Sequence, residues 1–400
     1  MIKNLRDSEA ELAKNDIHSL LKSFLNVAIN NNYPAAFYRL PNKEEIIGVV
    51  DLSSSPVSYP FEQLSNFQGF VISPFLNEGN DAKFIHGQLK FNFSTRKIFI
   101  ENGKESVADR FIDEALAFGS NYTSSQSVGS SNQLNEEHYI QINQKAIEFI
   151  KNGRFKKVVL ARKKSIIPPS DFHPTDLFES LNNTLKDSFN SLVFLPGEGI
   201  WVGASPELLV SVDQNNIFRT VALAATQRAN PKEESEVVWT HKEIEEQALV
   251  VRYVLNCFKS IRLREYEDDG PKTVKAGNLF HLKTDFSVNL NEFDYPNLGT
   301  TMLKLLHPTS AVCGMPKEDA LSFIREYEGL DRKFYSGFLG PVNIENETHI
   351  YVNIRCAEIE KERINLYSGA GITSESKPEK ELEETSLKMQ LLEKLIKSKE

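Results

Sequence analysis

Short runs of β-branched and aromatic residues crowd the second half of this chain: KKVVLARKKSI, SLVFLPG, IWVGAS, ELLVSV, HIYVNIRCAEI and RINLYSG. Runs of this length and composition read as strands, and the long helical patterns among them fall near 236–258 and 379–398. The chain must therefore build sheet and cover it with helix. Earlier, IIGVVDL and KFIHGQLKFNFS read as strands and 107–118 as a helix, while a helix over 139–152 stops at Gly153. The segment GSNYTSSQSVGSSNQLNEE, residues 119–137, has no hydrophobic period and marks the boundary between two regions. Residues 1–130 form an N-terminal α/β region without an assigned motif, and 138–400 the second, motif-bearing domain.

Composition narrows the class. Forty per cent hydrophobic and 25% charged residues over 400 positions fit an ordinary globular protein. A net charge of -9, with no Lys/Arg patch interleaved with aromatics, argues against nucleic acid as a partner. No run reaches the roughly 18 apolar residues of a membrane helix, so a cytoplasmic protein without a membrane partner is expected. Cys257, Cys313 and Cys356 are widely spaced in apolar or strand-like surroundings, the pattern of reduced core thiols. No G-x-G-x-x-G stands between a strand and a helix.

The acids on the two long helices are out of place. In WTHKEIEEQALVVRYV, read as helix from Trp239, one face carries Trp239, Glu243, Glu246, Val250 and Tyr253. In EKELEETSLKMQLLEKLIKS, one face carries Glu381, Glu384, Lys388, Leu391 or Leu392, and Leu395. A single Glu pair at i, i+3 is usually a solvated face. Two such pairs on apolar stripes point instead to buried carboxylates that need a cation, and an all-oxygen set suits a hard ion such as Mg²⁺.

Single residues carry alternatives. Lys157, at the head of KVVLAR, is either an edge charge or a partly buried amine able to act as a general base. Glu207, after Ser-Pro in GASPELLVSV, either caps a turn or serves as a general acid whose pKa burial raises. Arg355, alternating with apolar residues in YVNIRCAEI, suits bidentate binding of a carboxylate or an internal ion pair. Gly369 and Gly371 in SGAGI allow a ligand close to the backbone.

The motifs KVVLAR, GASPELL, LAATQR, KEIEEQALV, FHLKTDF, HPTSAVCGMP, FYSGFLGPV, NIRCAEI, YSGAGI and ELEETSLK, in this order over roughly 139–395, resemble the chorismate-utilising enzymes. The order is most similar to the isochorismate synthases; relatives are anthranilate synthase component I, aminodeoxychorismate synthase component I and salicylate synthase. The resemblance implies an α+β fold of the anthranilate synthase component I type, with large β-sheets and flanking helices, and makes 138–400 the chorismate-binding catalytic domain. It implies an isomerase that converts chorismate to isochorismate by water attack at C2 with loss of the C4 hydroxyl. Salicylate synthesis, through pyruvate elimination from isochorismate, and non-catalytic chorismate binding are the alternatives. Lys157 matches the lysine that activates water, and Glu207 the acid that protonates the departing hydroxyl. Glu246 and Glu384 match direct Mg²⁺ ligands, with Glu243 and Glu381 nearby through water. Arg355, Lys388 and the backbone around Gly369 match groups that bind the substrate carboxylates, and His281 an active-site histidine. Anthranilate synthases carry glutamine at Lys157 and usually threonine at Ala311, so both residues here favour water over ammonia, and no glutamine amidotransferase subunit is expected. Ala224 stands where aminodeoxychorismate synthases place a nucleophilic lysine. Ala225, Gln247 and Ser310 depart from the family's Gly, His and Pro. Isochorismate made this way feeds menaquinone or siderophore biosynthesis.

Overall fold

The computed structural model describes residues 15–77, 79–117, 136–228, 236–276, 279–292, 295 and 297–397. The boundary expected at 119–137 lies, except for its last two residues, outside the described residues. Two antiparallel sheets dominate. The ten-stranded sheet runs, in spatial order, Gly314–Met315, Lys157–Ile166, Ile364–Ile372, Cys356–Ile359, Gly199–Ser205, Phe189–Leu195, Ala35–Arg39, Ile47–Val50, Leu89–Asn92 and Ile98–Ile100. The nine-stranded sheet runs Glu267–Ala276, Leu279–Asn289, Ile217–Arg228, Leu208–Val212, Thr348–Val352, Phe338–Val342, Gly69–Ser73, Asp81–His86 and Val57–Pro60. Strands from before residue 118 thus extend both sheets.

Period-two burial stacks the sheets. In Phe189–Leu195, Phe189, Val193 and Leu195 join Trp201, Phe70, Ile72 and Tyr351 in a core between the sheets, while Leu192 and Phe194 face outward. The outward face of the ten-stranded sheet is covered by the helices Ile17–Asn30, Glu105–Ala117, Pro174–Thr184 and Pro378–Lys397. The nine-stranded sheet is covered by His241–Ser260 and Leu298–Leu306. The fold is α+β, as the resemblance implies. Cys257, Cys313 and Cys356 are free and buried. Among the described residues no helix is long and apolar enough to cross a membrane.

Three local readings are corrected. Helix does not begin at Trp239: Thr240 caps a helix that starts at His241, and the Glu243 carboxylate accepts the Thr240 N–H at 2.7 Å in a capping box. The buried stripe of the last helix runs Glu381, Thr385, Met389, Leu392 and Ile396, which leaves Glu384 and Lys388 on its border. HIYVNIRCAEI is not one strand. Its first half, Thr348–Val352, belongs to the nine-stranded sheet and its second, Cys356–Ile359, to the ten-stranded sheet. Arg355 lies in the crossing between them, with φ of 49°, and no longer alternates along a strand.

A second crossing lies beside the first. The chain leaves the ten-stranded sheet after Ser205 and enters the nine-stranded sheet at Leu208, which puts Glu207 between them. The crossings hold each other. The Ser205 hydroxyl donates to Val352 O at 2.6 Å, the Val352 N–H donates to Glu207 O at 3.0 Å, and the Ala204 N–H donates to Arg355 O at 3.1 Å. A Cβ on Gly203 would come within 2.7 Å of Cys356 Cβ, so a side chain there would push the crossings apart. Two polar residues are thereby fixed at the seam of the sandwich.

Candidate active site

Between the sheets, under the N-terminal ends of the two acid-bearing helices, lies a cavity of about 330 Å³. Lys157, Glu207, Ala225, Glu243, Glu246, His281, Ala311, Arg355, Gly369, Glu381, Glu384 and Lys388 all line it. The sequence-predicted residues are brought together in one place.

Lys157 is buried, so its reading as an edge charge is corrected: Met315 pairs with it on one side of its strand and Ile364–Ile372 covers the other. Lys157, Val159 and Ala161 alternate toward the second sheet, and on the next strand Tyr367, Gly369 and Gly371 point the same way. The glycines make room. A Cβ on Gly371 would sit 2.8 Å from Lys157 Cε and 3.4 Å from Glu246 Oε1. The lysine Nζ donates to Glu246 Oε1 at 2.7 Å. Because the end of a lysine can swing aside, Gly371→Ala should leave the fold intact and displace the amine. With Lys157 as the base that the resemblance implies, we expect a kcat loss of about 10- to 100-fold with little change in melting temperature, since misplacing a catalytic group by ~1 Å has costs of this order. Unchanged kcat in that variant would show that the amine's position does not matter.

Glu207 is buried at the crossing, where its Oε1 accepts from Thr309 Oγ1 at 3.2 Å. Burial raises its pKa to about 7, against the opposing pull of Thr309 and Lys157. A carboxyl in this state keeps a proton near neutral pH.

The helix His241–Ser260 is seated by Val250, Val254 and Phe258, each contributing on the order of 2 kcal/mol of apolar burial. Its first two turns overhang the cavity with Glu243 and Glu246. Gln247 anchors them, donating to Ala222 O and to Thr284 Oγ1 at 3.1 Å each. Burial pushes the Glu246 carboxyl up, but the Lys157 ammonium, with Lys388 and Lys242, holds it below its ordinary pKa. Glu381 is raised, by burial and by the nearby Glu384. Each acid has a partner within the chain: Lys242 Nζ is 3.7 Å from Glu381, Lys388 Nζ is 2.8 Å from Glu384, and Gln227 Nε2 donates to both Glu243 oxygens at 2.8 and 2.9 Å.

The four glutamates face one cavity without closing on a point. Among the described residues, only His18, Asp176 and Glu179, far from the cavity in the helical layer, have ligand atoms all within 4.8 Å of one another. Yet the donor chemistry fits a hard divalent cation: four carboxylates, no sulfur, and a buried Glu381 carboxyl held above its usual range beside another acid. Lysines fill the cationic role in this structure.

The rest of the wall suits a polyanion. His281 Nδ1 lies 2.9 Å from Ala225 O, and its Nε2 3.1 Å from Arg355 Nη2. Burial, then Arg355, lowers the His281 pKa to about 3. Lys388 Nζ donates to Gly369 O at 3.0 Å.

A profile of the chorismate-binding enzyme family matches residues 93–397. The chain belongs to that family. It is 29% identical over 262 residues to the vibriobactin-specific isochorismate synthase of Vibrio cholerae, covering 64% of this chain and 66% of that protein. It is 32% identical over 257 residues to isochorismate synthase DhbC of Bacillus subtilis, covering 61% of this chain and 63% of that one. The chain therefore spans somewhat less than two thirds of these relatives' length. In fold it is similar to MenF, the menaquinone-specific isochorismate synthase from Escherichia coli, with a TM-score of 0.74 at 21% identity over 94% of this chain and 91% of that one. Anthranilate synthase component I from Streptococcus pneumoniae gives a TM-score of 0.64 at 20% identity, over 91% and 81% of the chains.

Sequence reasoning missed several residues that build this site. Thr309, which holds Glu207, lies inside the quoted motif HPTSAVCGMP but carried no signal of its own. Lys242 and Lys380, at the rim, looked like ordinary helix charges. Tyr335 and Tyr367, stacked at 5.4 Å, close one wall.

Proposed function

We propose that this protein is an isochorismate synthase, a Mg²⁺-dependent isomerase acting on chorismate. The observation that carries the reading is the placement of a buried amine, Lys157, and a buried carboxyl that keeps its proton near neutrality, Glu207, on one cavity. Water entering at C2 needs a base, and hydroxyl leaving C4 needs an acid. In its neutral amine form Lys157 takes the proton from the water and Glu207 gives one to the departing hydroxyl, while both ring double bonds shift, from C1=C2 and C5=C6 to C1=C6 and C4=C5. One water enters and one leaves.

Five cationic side chains, Lys157, Lys242, Arg355, Lys380 and Lys388, and five carboxyls, Glu207, Glu243, Glu246, Glu381 and Glu384, line the cavity. The protein's own side chains therefore supply little net charge with which to hold a dianion. Glu246 and Glu384 would bind Mg²⁺ directly and Glu243 and Glu381 more remotely, and the ion would supply positive charge to a substrate carboxylate. Arg355, Lys388 and the backbone at Gly369 bind the carboxylates; Ala225 and Ala311 shape the wall. The relatives named isochorismate synthase support the same reading.

The test is product identification after incubating purified protein with chorismate, Mg²⁺ and ammonium. Isochorismate is expected, because Lys157 and Ala311 favour water and no amidotransferase partner is required. Anthranilate would overturn the assignment, salicylate with pyruvate would reassign it to a salicylate synthase, and no turnover would leave a chorismate-binding protein. EDTA should abolish turnover and remove a saturable Mg²⁺ binding isotherm seen by calorimetry; full activity in metal-free buffer would sink the metal role.

A further inference from the structure

In the crossing between the sheets, Arg355 meets a histidine of the nine-stranded sheet. The guanidinium is half-buried at the seam, on a residue whose backbone is left-handed. One of its nitrogens lies 3.1 Å from His281 Nε2, and His281 Nδ1 lies 2.9 Å from the carbonyl of Ala225. A guanidinium has only donors and a carbonyl only accepts, so a single form of the ring satisfies both contacts: neutral, with the proton on Nδ1 and the lone pair on Nε2.

The carbonyl is there because the ladder is interrupted. Ala224 pairs with Leu282 and Gln227 with Phe280, which leaves Ala225 and Thr226 together opposite His281. This is a β-bulge of two residues against one, with Ala225 at φ of 57°. The bulge frees the Ala225 carbonyl from strand pairing, and the ring takes it. Such strained, non-glycine backbone recurs at sites where a group is being aimed.

We infer that His281 is a positioning residue: as the Nδ1–H tautomer, fixed by the Ala225 carbonyl, it holds one N–H of Arg355 and so orients the guanidinium to meet a ligand carboxylate. The ring's own nitrogens are both spent within the protein, so it neither gives nor takes a proton in the reaction. The identity of the carboxylate as one of chorismate's rests on the function proposed above; the tautomer and the aim do not.

Two measurements test it. In protein with ¹⁵N-labelled histidine, long-range ¹H–¹⁵N correlation should show His281 as the neutral Nδ1–H form, unchanged between about pH 5.5 and 8.5. An Nε2–H form, or titration in that range, overturns the inference whatever the enzyme's substrate. In kinetics, His281→Leu should raise the KM for chorismate by about 10- to 100-fold, the worth of a charge-assisted hydrogen-bond pair, with kcat changed by less than about threefold. His281→Gln, which can offer an oxygen to Arg355, should recover most of that loss. A large fall in kcat at unchanged KM would make His281 a participant in the chemistry and overturn the proposal. Should His281→Leu unfold, the glutamine variant and the spectrum carry the test. If the wild type fails to turn over chorismate at all, the proposed function fails while the spectrum still decides the role of the ring.

Discussion

Replacing Lys157 with alanine should lower kcat by about 10²-fold or more, the usual contribution of a positioned base, while Mg²⁺ binding tightens. The second half of that expectation separates this lysine from a merely structural one. In the structure its amine is held by Glu246, one of the carboxylates proposed to bind the ion, at 2.7 Å. Amine and cation compete for one carboxylate, so deleting the amine leaves Glu246 available. The variant should be less stable at neutral pH. The Glu246 pKa is depressed below its unfolded value, so its pairing stabilises the fold above the ordinary carboxylate range and the benefit is lost as pH falls through the folded pKa. The stability gap between wild type and Lys157→Ala should therefore be present at pH 7 and close in acid. Near-normal turnover in a folded Lys157→Ala would remove the base from the mechanism; weakened Mg²⁺ binding would mean that the lysine helps to build the ion site instead of competing for it.

The sequence carried the elements further than it carried their meeting. Strand runs were legible because a pleated, buried surface selects β-branched and aromatic residues, and IWVGAS and ELLVSV fell where strands stand. What lies between them was not. The single turn at Pro206 looks the same whether the chain folds back within a sheet or passes to another, and only the pairing partners distinguish the two. YVNIRCAEI misled for the same reason: both halves are strand-like, and the break at Arg355 is set by the neighbouring crossing at Glu207. Lys157 in a β-branched run reads as an edge charge until Gly371, more than two hundred residues later, is seen across from it. The acids on apolar stripes were the exception. A carboxylate pair beside an apolar stripe is visible locally, and all four glutamates did reach one cavity, although only Glu381 stands on the buried stripe itself. Their partners, Lys242 on Glu381 and Gln227 on Glu243, come from separate elements and left no trace in any one stretch.

Glu207→Gln should cost kcat about 10²-fold or more while chorismate and Mg²⁺ still bind, because the amide keeps the shape of the acid and cannot give a proton. Binding of Mg²⁺ should fail instead in Glu246→Ala, which removes a proposed ligand and leaves Glu207 in place. The wild-type pH profile carries a second signature. Burial raises the Glu207 pKa to about 7, so the group is protonated below that pH and ionised above it, and kcat/KM should fall as pH rises through it. The effect on folding has the opposite consequence for the variant. A carboxyl with a raised folded pKa binds its proton more tightly in the folded state, which favours folding in acid; this benefit is lost as pH rises through the folded pKa, when charge must be buried. Glutamine has no such penalty, so Glu207→Gln should gain stability relative to wild type from about pH 4 to 7 and hold that gain above it. A catalytic acid and a turn residue differ on this point. The turn role lies in the backbone, where the Glu207 N–H meets Ser205 Oγ at 3.2 Å and Glu207 O accepts from Val352, and glutamine preserves both. A variant that is stable, binds both ligands and has lost turnover can only have lost the proton; one that keeps near-normal turnover leaves the crossing its glutamate as a structural residue and sends the search for the acid elsewhere in the cavity.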